Sequence, residues 1–166
     1  GIAPNFLING NDYAIPMVTE ESSVVAACAN AAKFWYEKGG FKAEVLNSVK
    51  LGHVHFTYKG DVDKLKTFFP KLKSKLINGV KDITHNMENR GGGISNIELI
   101  DLSQKEENLF QLKCSFETVD SMGANFINSC LETFAEILVE EIQLSPLFSL
   151  KEKDVNVIMS ILSNFT

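Results

Sequence analysis

The chain has 166 residues, 45% of them hydrophobic, and a formal net charge of −5 at pH 7. This length predicts one domain or slightly more, with enough apolar side chains for a buried core. The acidic balance argues against a nucleic-acid-binding protein, which needs a basic surface. No apolar run approaches the length of a transmembrane helix, so we expect no membrane partner.

The cysteines and histidines predict neither disulfides nor a metal site. The cysteines lie in apolar segments without a Cys-x-x-Cys pair, so we interpret them as reduced core residues of a cytoplasmic protein. They are Cys28, Cys114 and Cys130. His53 and His55 share one face of a predicted strand, and His85 lies apart from them. Because this spacing is not typical of zinc ligands, a polar strand face is the preferred interpretation.

The N-terminal segment predicts a β-hairpin, because Asn9-Gly10 lies between apolar runs at residues 6–8 and 13–15. A helix follows, with Thr19 as its expected N-cap and an end before Gly39-Gly40. The first half of this helix is small and apolar nearly all round. Such a helix normally packs on several sides, so we expect partners that this chain lacks.

From residue 51 the hydrophobic pattern predicts the order strand, helix, strand, strand, helix, strand. The strands cover residues 51–58, 94–102, 109–118 and 155–161, and the helices cover residues 62–87 and 122–142. Pro70 is expected to break or kink the first helix. The last strand could instead be a short helix. Right-handed crossovers place both helices on one face, which predicts an α+β, ferredoxin-like βαββαβ antiparallel sheet.

The junction Asp120-Ser121-Met122-Gly123, between the third of these strands and the second helix, is a candidate ligand site. The free N–H groups and the positive dipole end of a helix start favour a phosphate. Gly123 and Ala124 would let a ligand approach the backbone closely. The simpler interpretation is a helix with an acidic cap and a small-residue packing contact, because one glycine at a helix start is a weak motif.

Three separated motifs carry a family resemblance. They are Glu20-Glu21-Ser22-Ser23 within residues 5–27, Arg90-Gly91-Gly92-Gly93, and Asp120-Ser121-Met122-Gly123-Ala124-Asn125. With the closing segment 161–164, they resemble the 3-hydroxy-3-methylglutaryl-coenzyme A (HMG-CoA) reductase family, most closely its bacterial, class II branch. Order and spacing agree over essentially the whole chain.

The resemblance implies an enzymatic origin. Residues 1–50 match the C-terminal part of the first segment of the large, substrate-binding domain, and residues 51–166 match the NAD(P)-binding, ferredoxin-like small domain. Members interconvert HMG-CoA and mevalonate plus CoA by two hydride transfers, with NADPH or NADH as cofactor. They form homodimers whose active sites lie at the subunit interface.

Individual site residues also follow from the resemblance. Glu21 matches the catalytic glutamate, which assists proton transfer. Ser23 matches a residue near the hydroxymethylglutaryl group. The turn that contacts the dinucleotide in the family is matched by Asp120, Met122, Gly123 and Asn125. An ungapped comparison places Thr84 where NAD-preferring members have an acidic residue, with Arg90 nearby, so both cofactors stay open.

The family's catalytic lysine, its aspartate partner and its histidine match nothing in this chain. We therefore expect this chain alone to be inactive as a reductase. The chain begins at Gly1 rather than at a methionine, which suggests an excised piece or a processed start. The alternative hypothesis is a stand-alone ferredoxin-like binding or assembly module, whose apolar N-terminal helix packs against a partner or a second copy.

Overall fold

A computed structural model describes residues 1–164 of the chain. The chain divides into two compact units, Gly1–Asn47 and a second unit that begins at Ser48. The described residues form two antiparallel sheets and four helices, so the predicted α+β class is confirmed.

The first unit is a hairpin followed by a helix. Strands β1 (Ile2–Ile8) and β2 (Asn11–Pro16) pair antiparallel, which confirms the predicted hairpin. Helix α1 (Ser22–Tyr36) has Glu21 at its N-cap position, so the prediction of Thr19 was wrong. The Thr19 hydroxyl instead accepts a hydrogen bond of 2.7 Å from the N-terminal ammonium group of Gly1.

Helix α1 exposes much of its apolar surface. Ala32 is its only buried residue. Val24 is 55% exposed, Phe34 56% and Trp35 46%. Phe34 and Trp35 contact each other edge to face, and the ammonium of Lys38 lies over the Phe34 ring. These rings therefore pack mainly on their own helix, not in a core.

The second unit contains a four-stranded antiparallel sheet in the spatial order β4-β5-β3-β6. Its strands are β3 (Val49–Tyr58), β4 (Gly93–Asp101), β5 (Leu109–Glu117) and β6 (Val155–Leu162). Its helices are α2 (Val62–Gly79), α3 (Lys81–Glu88) and α4 (Ala124–Leu144). The predicted order of elements is thus confirmed, with two consecutive helices in place of the first one.

The core lies between the helices and the inner face of the sheet. Alternate residues of the two central strands are fully buried, as the sequence pattern predicted, and they pack against apolar side chains of α2 and α4. The buried strand residues are Val54, Phe56, Tyr58, Phe110, Leu112, Cys114 and Phe116. Burial raises the pKa of the Cys130 thiol to about 12, so the thiol stays protonated in the core.

The first predicted helix breaks at a different residue from the one expected. Helix α2 continues without interruption through Pro70 and ends at Gly79, and α3 begins after Val80, whose backbone leaves the helical region (φ −110°, ψ 12°). A Cβ on Gly79 would lie 2.2 Å from the Cδ1 atom of Ile137 in α4. The predicted break at Pro70 was therefore wrong, and the break instead follows Gly79, which lies close to the Ile137 side chain of α4.

Strand β6 changes face halfway along its length. His55 pairs with Met159 and Phe56 with Val157, so Ile158 is an extra residue in a β-bulge. After the bulge Leu162 points to the core, and Ile161 is 49% exposed. The predicted strand is confirmed, but its alternation shifts by one residue at the bulge, so Met159 and Ile161 do not share the inner face with Val155 and Val157.

Helix α4 begins at a left-handed glycine. Gly123 is the N-cap residue (φ 77°, ψ 7°), with no side-chain cap, so the predicted acidic cap Asp120 was wrong. A Cβ on Gly123 would lie 2.5 Å from the Cγ2 atom of Thr118. Thr118 is fully buried, and its hydroxyl donates a 2.7 Å hydrogen bond to the Ser121 carbonyl. The threonine therefore has little room to move.

We predict that Gly123→Ala destabilises the second unit more than Gly91→Ala. Both glycines have positive φ (77° and 89°), which costs an L-residue about 1–2 kcal/mol. Only Gly123 has an atom within 4 Å of the added Cβ, and this overlap adds roughly 1–3 kcal/mol. Urea unfolding of the two variants measures the difference, and equal losses would contradict the role of Thr118.

We also predict a pH-dependent contribution from Glu152. Its carboxylate accepts hydrogen bonds from the Ser149 N–H and hydroxyl (2.8 and 2.7 Å) and from the Lys64 ammonium (2.9 Å). The Ser149 backbone, then Lys64, lowers the Glu152 pKa from 4.5 to about 2. Because the folded-state pKa is the lower one, the stabilisation is present above pH 4.5 and is lost as the pH falls toward 2.

Glu152→Gln should therefore lower the free energy of unfolding at neutral pH, and the difference from the wild type should shrink as the pH falls through that interval. Urea unfolding at several pH values measures it. A difference that stays constant down to the lowest pH would show that the charge of Glu152 does not contribute to the stability of the fold.

Candidate functional site

A cleft of about 310 Å³ lies at the N-terminus of α4. It is lined by Met87, Arg90, Ser121, Met122, Gly123, Ala124, Asn125 and Phe126. The C-terminal end of α3, with Met87 and Arg90, therefore forms one wall, and the junction between β5 and α4 forms the other. Among the described residues, Arg90 is the one charged residue of this lining, and no carboxylate belongs to it.

The backbone of the β5–α4 junction is held in an unusual conformation. Val119 has a positive φ of 52°, which is rare for a β-branched residue. Its N–H donates a 2.8 Å hydrogen bond to the Glu117 carboxylate, and the Ser121 N–H donates to the Thr118 carbonyl (3.0 Å). These bonds fix the path of the chain into Gly123. Strained residues of this kind concentrate at functional sites.

The electrostatics of the cleft favour an anion. The first hydrogen bond inside α4 runs from the Ile127 N–H to the Gly123 carbonyl, so the preceding N–H groups of the first turn stay available. The Arg90 guanidinium is anchored near them by a bond from Nε to the Asn86 carbonyl (3.3 Å) and a contact of Nη2 with the Met87 sulfur (3.6 Å). A phosphate-bearing ligand fits this combination of donors.

The structure brings together four of the six residues that the sequence assigned to a cofactor, namely Arg90, Met122, Gly123 and Asn125. Asp120 is exposed in the same turn but does not line the cleft. Thr84 is 1% exposed and lies on the buried face of α3. Its hydroxyl donates a hydrogen bond to the Lys81 carbonyl (3.4 Å).

Sequence reasoning missed Met87 and Phe126 as cleft residues. Met87 lies one helical turn before Arg90, so the helical spacing already placed the two side chains on neighbouring positions. Phe126 contacts Phe116 edge to face at a centroid distance of 5.9 Å, which anchors the first turn of α4 on strand β5. No sequence pattern distinguished this ring from an ordinary core residue.

The remaining two predicted residues lie in the first unit. Glu21 stands at the N-cap position of α1, but its carboxylate accepts no hydrogen bond from the helix backbone. The Ser23 hydroxyl instead donates a hydrogen bond of 2.6 Å to Oε1 of Glu21. The predicted catalytic carboxylate and the predicted substrate-binding hydroxyl are therefore in direct contact.

His53 and His55 lie side by side on the outer face of β3, with ring centroids 5.5 Å apart. Partial burial lowers the pKa of both imidazoles, and the proximity of His55 lowers that of His53 further.

In residues 1–164 we find no cluster of three or more His, Cys, Asp or Glu side chains suited to a metal ion. Over the same residues, no helix combines the length and apolar character required to cross a bilayer.

Comparisons with known proteins agree on one family. The family model described as hydroxymethylglutaryl-coenzyme A reductase matches residues 1–166. The 3-hydroxy-3-methylglutaryl-coenzyme A reductase of Archaeoglobus fulgidus is 34% identical over 138 residues, which cover 83% of this chain and 32% of the relative. A probable reductase of Borreliella burgdorferi is 31% identical over 156 residues, 94% of this chain and 35% of the relative.

Solved structures give the same result. One is the class II reductase of Streptococcus pneumoniae, described as bound to NADPH in open conformations. The match covers 99% of this chain and 41% of the Streptococcus pneumoniae chain, with a TM-score of 0.61 and 30% sequence identity. The chain spans about a third of the length of the two curated relatives described above. Since the family model covers the chain from the first residue to the last, this chain belongs to the HMG-CoA reductase family.

Proposed function

We propose that this chain is the cofactor-binding part of an HMG-CoA reductase, which interconverts HMG-CoA and mevalonate plus CoA by two hydride transfers with a nicotinamide dinucleotide. The observation that carries the proposal is the cleft at the start of α4, where Arg90 faces the free amides of a helix N-terminus. Family membership supports the reaction, and the NADPH bound to the Streptococcus pneumoniae relative supports the type of cofactor.

We assign residues 51–166 to a ferredoxin-like, NAD(P)-binding small domain. The strand order β4-β5-β3-β6, with helices between β3 and β4 and between β5 and β6, supports this assignment. We assign residues 1–50 to the end of a substrate-binding segment, and the division of the chain after Asn47 supports a boundary nearby. The proposal includes the homodimeric, cytoplasmic enzyme that the family resemblance implies.

The cleft residues have separate roles in this proposal. The first-turn amides after Gly123 hold the pyrophosphate, and the missing side chain of Gly123 gives it room. Met122 and Asn125 contact the dinucleotide from the same turn, next to Asp120. Thr84 lies on the buried face of α3, so it contributes to the position of the helix end that precedes Arg90. When bound, the nicotinamide supplies the hydride.

We propose that the cofactor is NADPH rather than NADH. The 2′-phosphate of NADPH adds negative charge, and within residues 1–164 the one charged group of the cleft lining is the Arg90 guanidinium. NAD-selective sites instead place a carboxylate on the ribose 2′-hydroxyl, which would repel a phosphate. No carboxylate of the described part of the chain lines this cleft.

Glu21 provides the proton in this proposal. Reduction of a carbonyl needs a hydride on carbon and a proton on oxygen, and a positioned carboxyl group can deliver that proton. The carboxylate of Glu21 accepts no helix N–H bond, so it is available for this role.

We predict that Arg90→Gln weakens binding of NADP⁺ by about tenfold or more and binding of NAD⁺ by about twofold, because a charge-assisted bond to a phosphate contributes roughly 1.5–3 kcal/mol. NMR titration of the labelled chain suits a weak site, and the amides of residues 123–125 should shift. Lys81→Gln, which removes a cation outside the cleft lining, is the matched control. Equal losses for both nucleotides would contradict the assignment of Arg90.

We further predict that the purified chain shows no mevalonate-dependent reduction of NADP⁺. The reason is that it contains no match to the family's catalytic lysine, the aspartate partner of that lysine or the family's histidine. A spectrophotometric assay at 340 nm, with an intact class II reductase as the positive control, measures this. Turnover by the chain alone would contradict the proposal that this chain is only the cofactor-binding part of the reductase.

A second candidate function is a stand-alone assembly module. The exposed apolar residues of α1, including Phe34 and Trp35, favour it, because such surfaces are normally covered. Reductase activity in a longer protein that carries this chain would exclude this candidate.

A further inference from the structure

We infer that the outer face of the four-stranded sheet carries a second ligand site, for a small amphiphilic anion with a carboxylate head and an apolar body. The site is a groove of about 570 Å³ on the face that points away from the core, and we call it the outer groove. Its lining includes Leu51, His53 and His55 of β3, Gln111 and Lys113 of β5, and Ile100 of β4. A volume of this size is typical of small-molecule sites.

The register of the strands places polar side chains along the middle of the outer groove. His53 pairs with Lys113, and His55 pairs with Gln111. The Gln111 amide nitrogen lies 3.2 Å from Nε2 of His55, so the amide donates to a neutral imidazole and holds that ring in place. A ligand on this face therefore meets an ammonium group and two imidazoles at its polar end.

Apolar side chains flank this polar centre. Ile100 pairs with Gln111 across β4 and β5, and Leu102 follows at the end of β4. Leu51 lies at the opposite end of the outer groove, beyond His53. All three apolar side chains are half-buried, so they form walls of the groove. A ligand with an apolar body removes part of this surface from water, which favours binding.

The charge of the outer groove is positive, although the chain as a whole is acidic. The chain has 21 Asp and Glu residues against 16 Lys and Arg, yet among the described residues the groove is lined by two lysines and no carboxylate. These are Lys105 and Lys113, and neither forms an ion pair within residues 1–164. Glu98 pairs with Lys113 in the strand register without an ion pair. Such a surface attracts an anion.

The two properties together select the class of ligand. An inorganic anion would leave the apolar walls exposed, and a neutral hydrocarbon would leave the lysines without a counter-charge. A carboxylate beside Lys113 and His53 would let an attached apolar body cover Ile100, which lies about 7 Å further along the sheet, two residues of an extended strand. This placement is separate from the cofactor cleft, so the inference does not depend on the proposed function.

The histidines should make binding depend on pH. Partial burial, then His55 and Lys113, lowers the pKa of His53 below 6.5, and partial burial lowers that of His55. A bound anion stabilises the protonated rings, so binding takes up protons and tightens as the pH falls. The side chains that face the two rings are Lys113 and Gln111 on β5 and Ile161 and Met159 on β6, with Glu98 and Ile100 beyond β5 and Lys105 in the loop after β4. Histidine is the side chain that ordinarily titrates near neutrality, so the imidazoles carry this dependence.

The first test is an NMR titration of the labelled chain with octanoate, below the concentration at which it forms micelles. Octylamine, which is a cation, and octanol, which is uncharged, are control ligands with the same apolar chain, and acetate is a control for the head alone. We expect saturable shifts of the amides of residues 51–55 and 111–113 with octanoate. Each control ligand should bind about fivefold more weakly or not at all.

The second test uses variants of the lining. Lys113→Gln should weaken octanoate binding about threefold to fivefold, whereas Lys71→Gln, which removes an exposed lysine of α2 outside the groove, should leave it unchanged. Wild-type binding should tighten about threefold or more between about pH 8 and about pH 6, and the double variant His53→Gln, His55→Gln should lose this dependence.

Four results would overturn the inference, and none of them bears on the proposed reductase function. Equal affinity for octanoate and octanol would show that the groove does not recognise the charge. Equal affinity at both pH values would exclude the imidazoles from the site. Shifts centred on residues 123–125 would place the anion in the cofactor cleft instead. Shifts of residues 51–55 that grow with protein concentration, without octanoate, would show that a second copy of the chain covers this face.

Discussion

The contact between Gly123 and Thr118 determines where helix α4 begins, and the candidate cofactor site depends on that point. Thr118 is buried and bonded to the Ser121 carbonyl, so the chain must turn within a few residues. Gly123 takes a left-handed conformation that a side chain would obstruct. As a result the amides of the first turn face the cleft beside Arg90.

The same junction connects the core to the site. Strand β5 is central in the sheet, with both neighbours paired along most of its length. Its inner residues are fully buried, and Phe116 contacts Phe126 in the first turn of α4. The helix start is therefore fixed to one of the two central strands of the sheet. A site that is assembled on such a strand needs little reorganisation when a ligand binds.

Sequence periodicity predicted the strands well where both faces differ, as in β3 and β5, because burial of one face enforces strict alternation. It failed in β6, where the bulge at Ile158 shifts the alternation in an uncharged strand. It also misplaced the helix break. The break follows Gly79, which lies close to Ile137 of α4, and a contact between residues so far apart in sequence cannot be predicted from the position of Pro70. Thr19 was misassigned because helix α1 begins only at Ser22, with Glu21 at the N-cap position.

For the site, the junction residues were predictable and Thr84 shows the limit of residue matching. Val80, Thr84 and Met87 follow the spacing of a buried helix stripe, and all three are buried. Helical periodicity alone would have put Thr84 in the core. The match of Thr84 to a family position predicted instead that it contacts the cofactor. The contact between Ser23 and Glu21 could not be read from spacing, because residues two apart on a helix do not normally face each other.

The bulge at Ile158 has a consequence for association between molecules. Within residues 1–164, β6 pairs only with β3, so its other edge presents unpaired backbone groups beside Ile158, Met159 and Ile161. An uncharged, apolar edge of this kind is a template for intermolecular strand pairing and aggregation. A foreign strand would lose register at the extra residue, so the bulge limits continuous pairing to the short segments on either side of it.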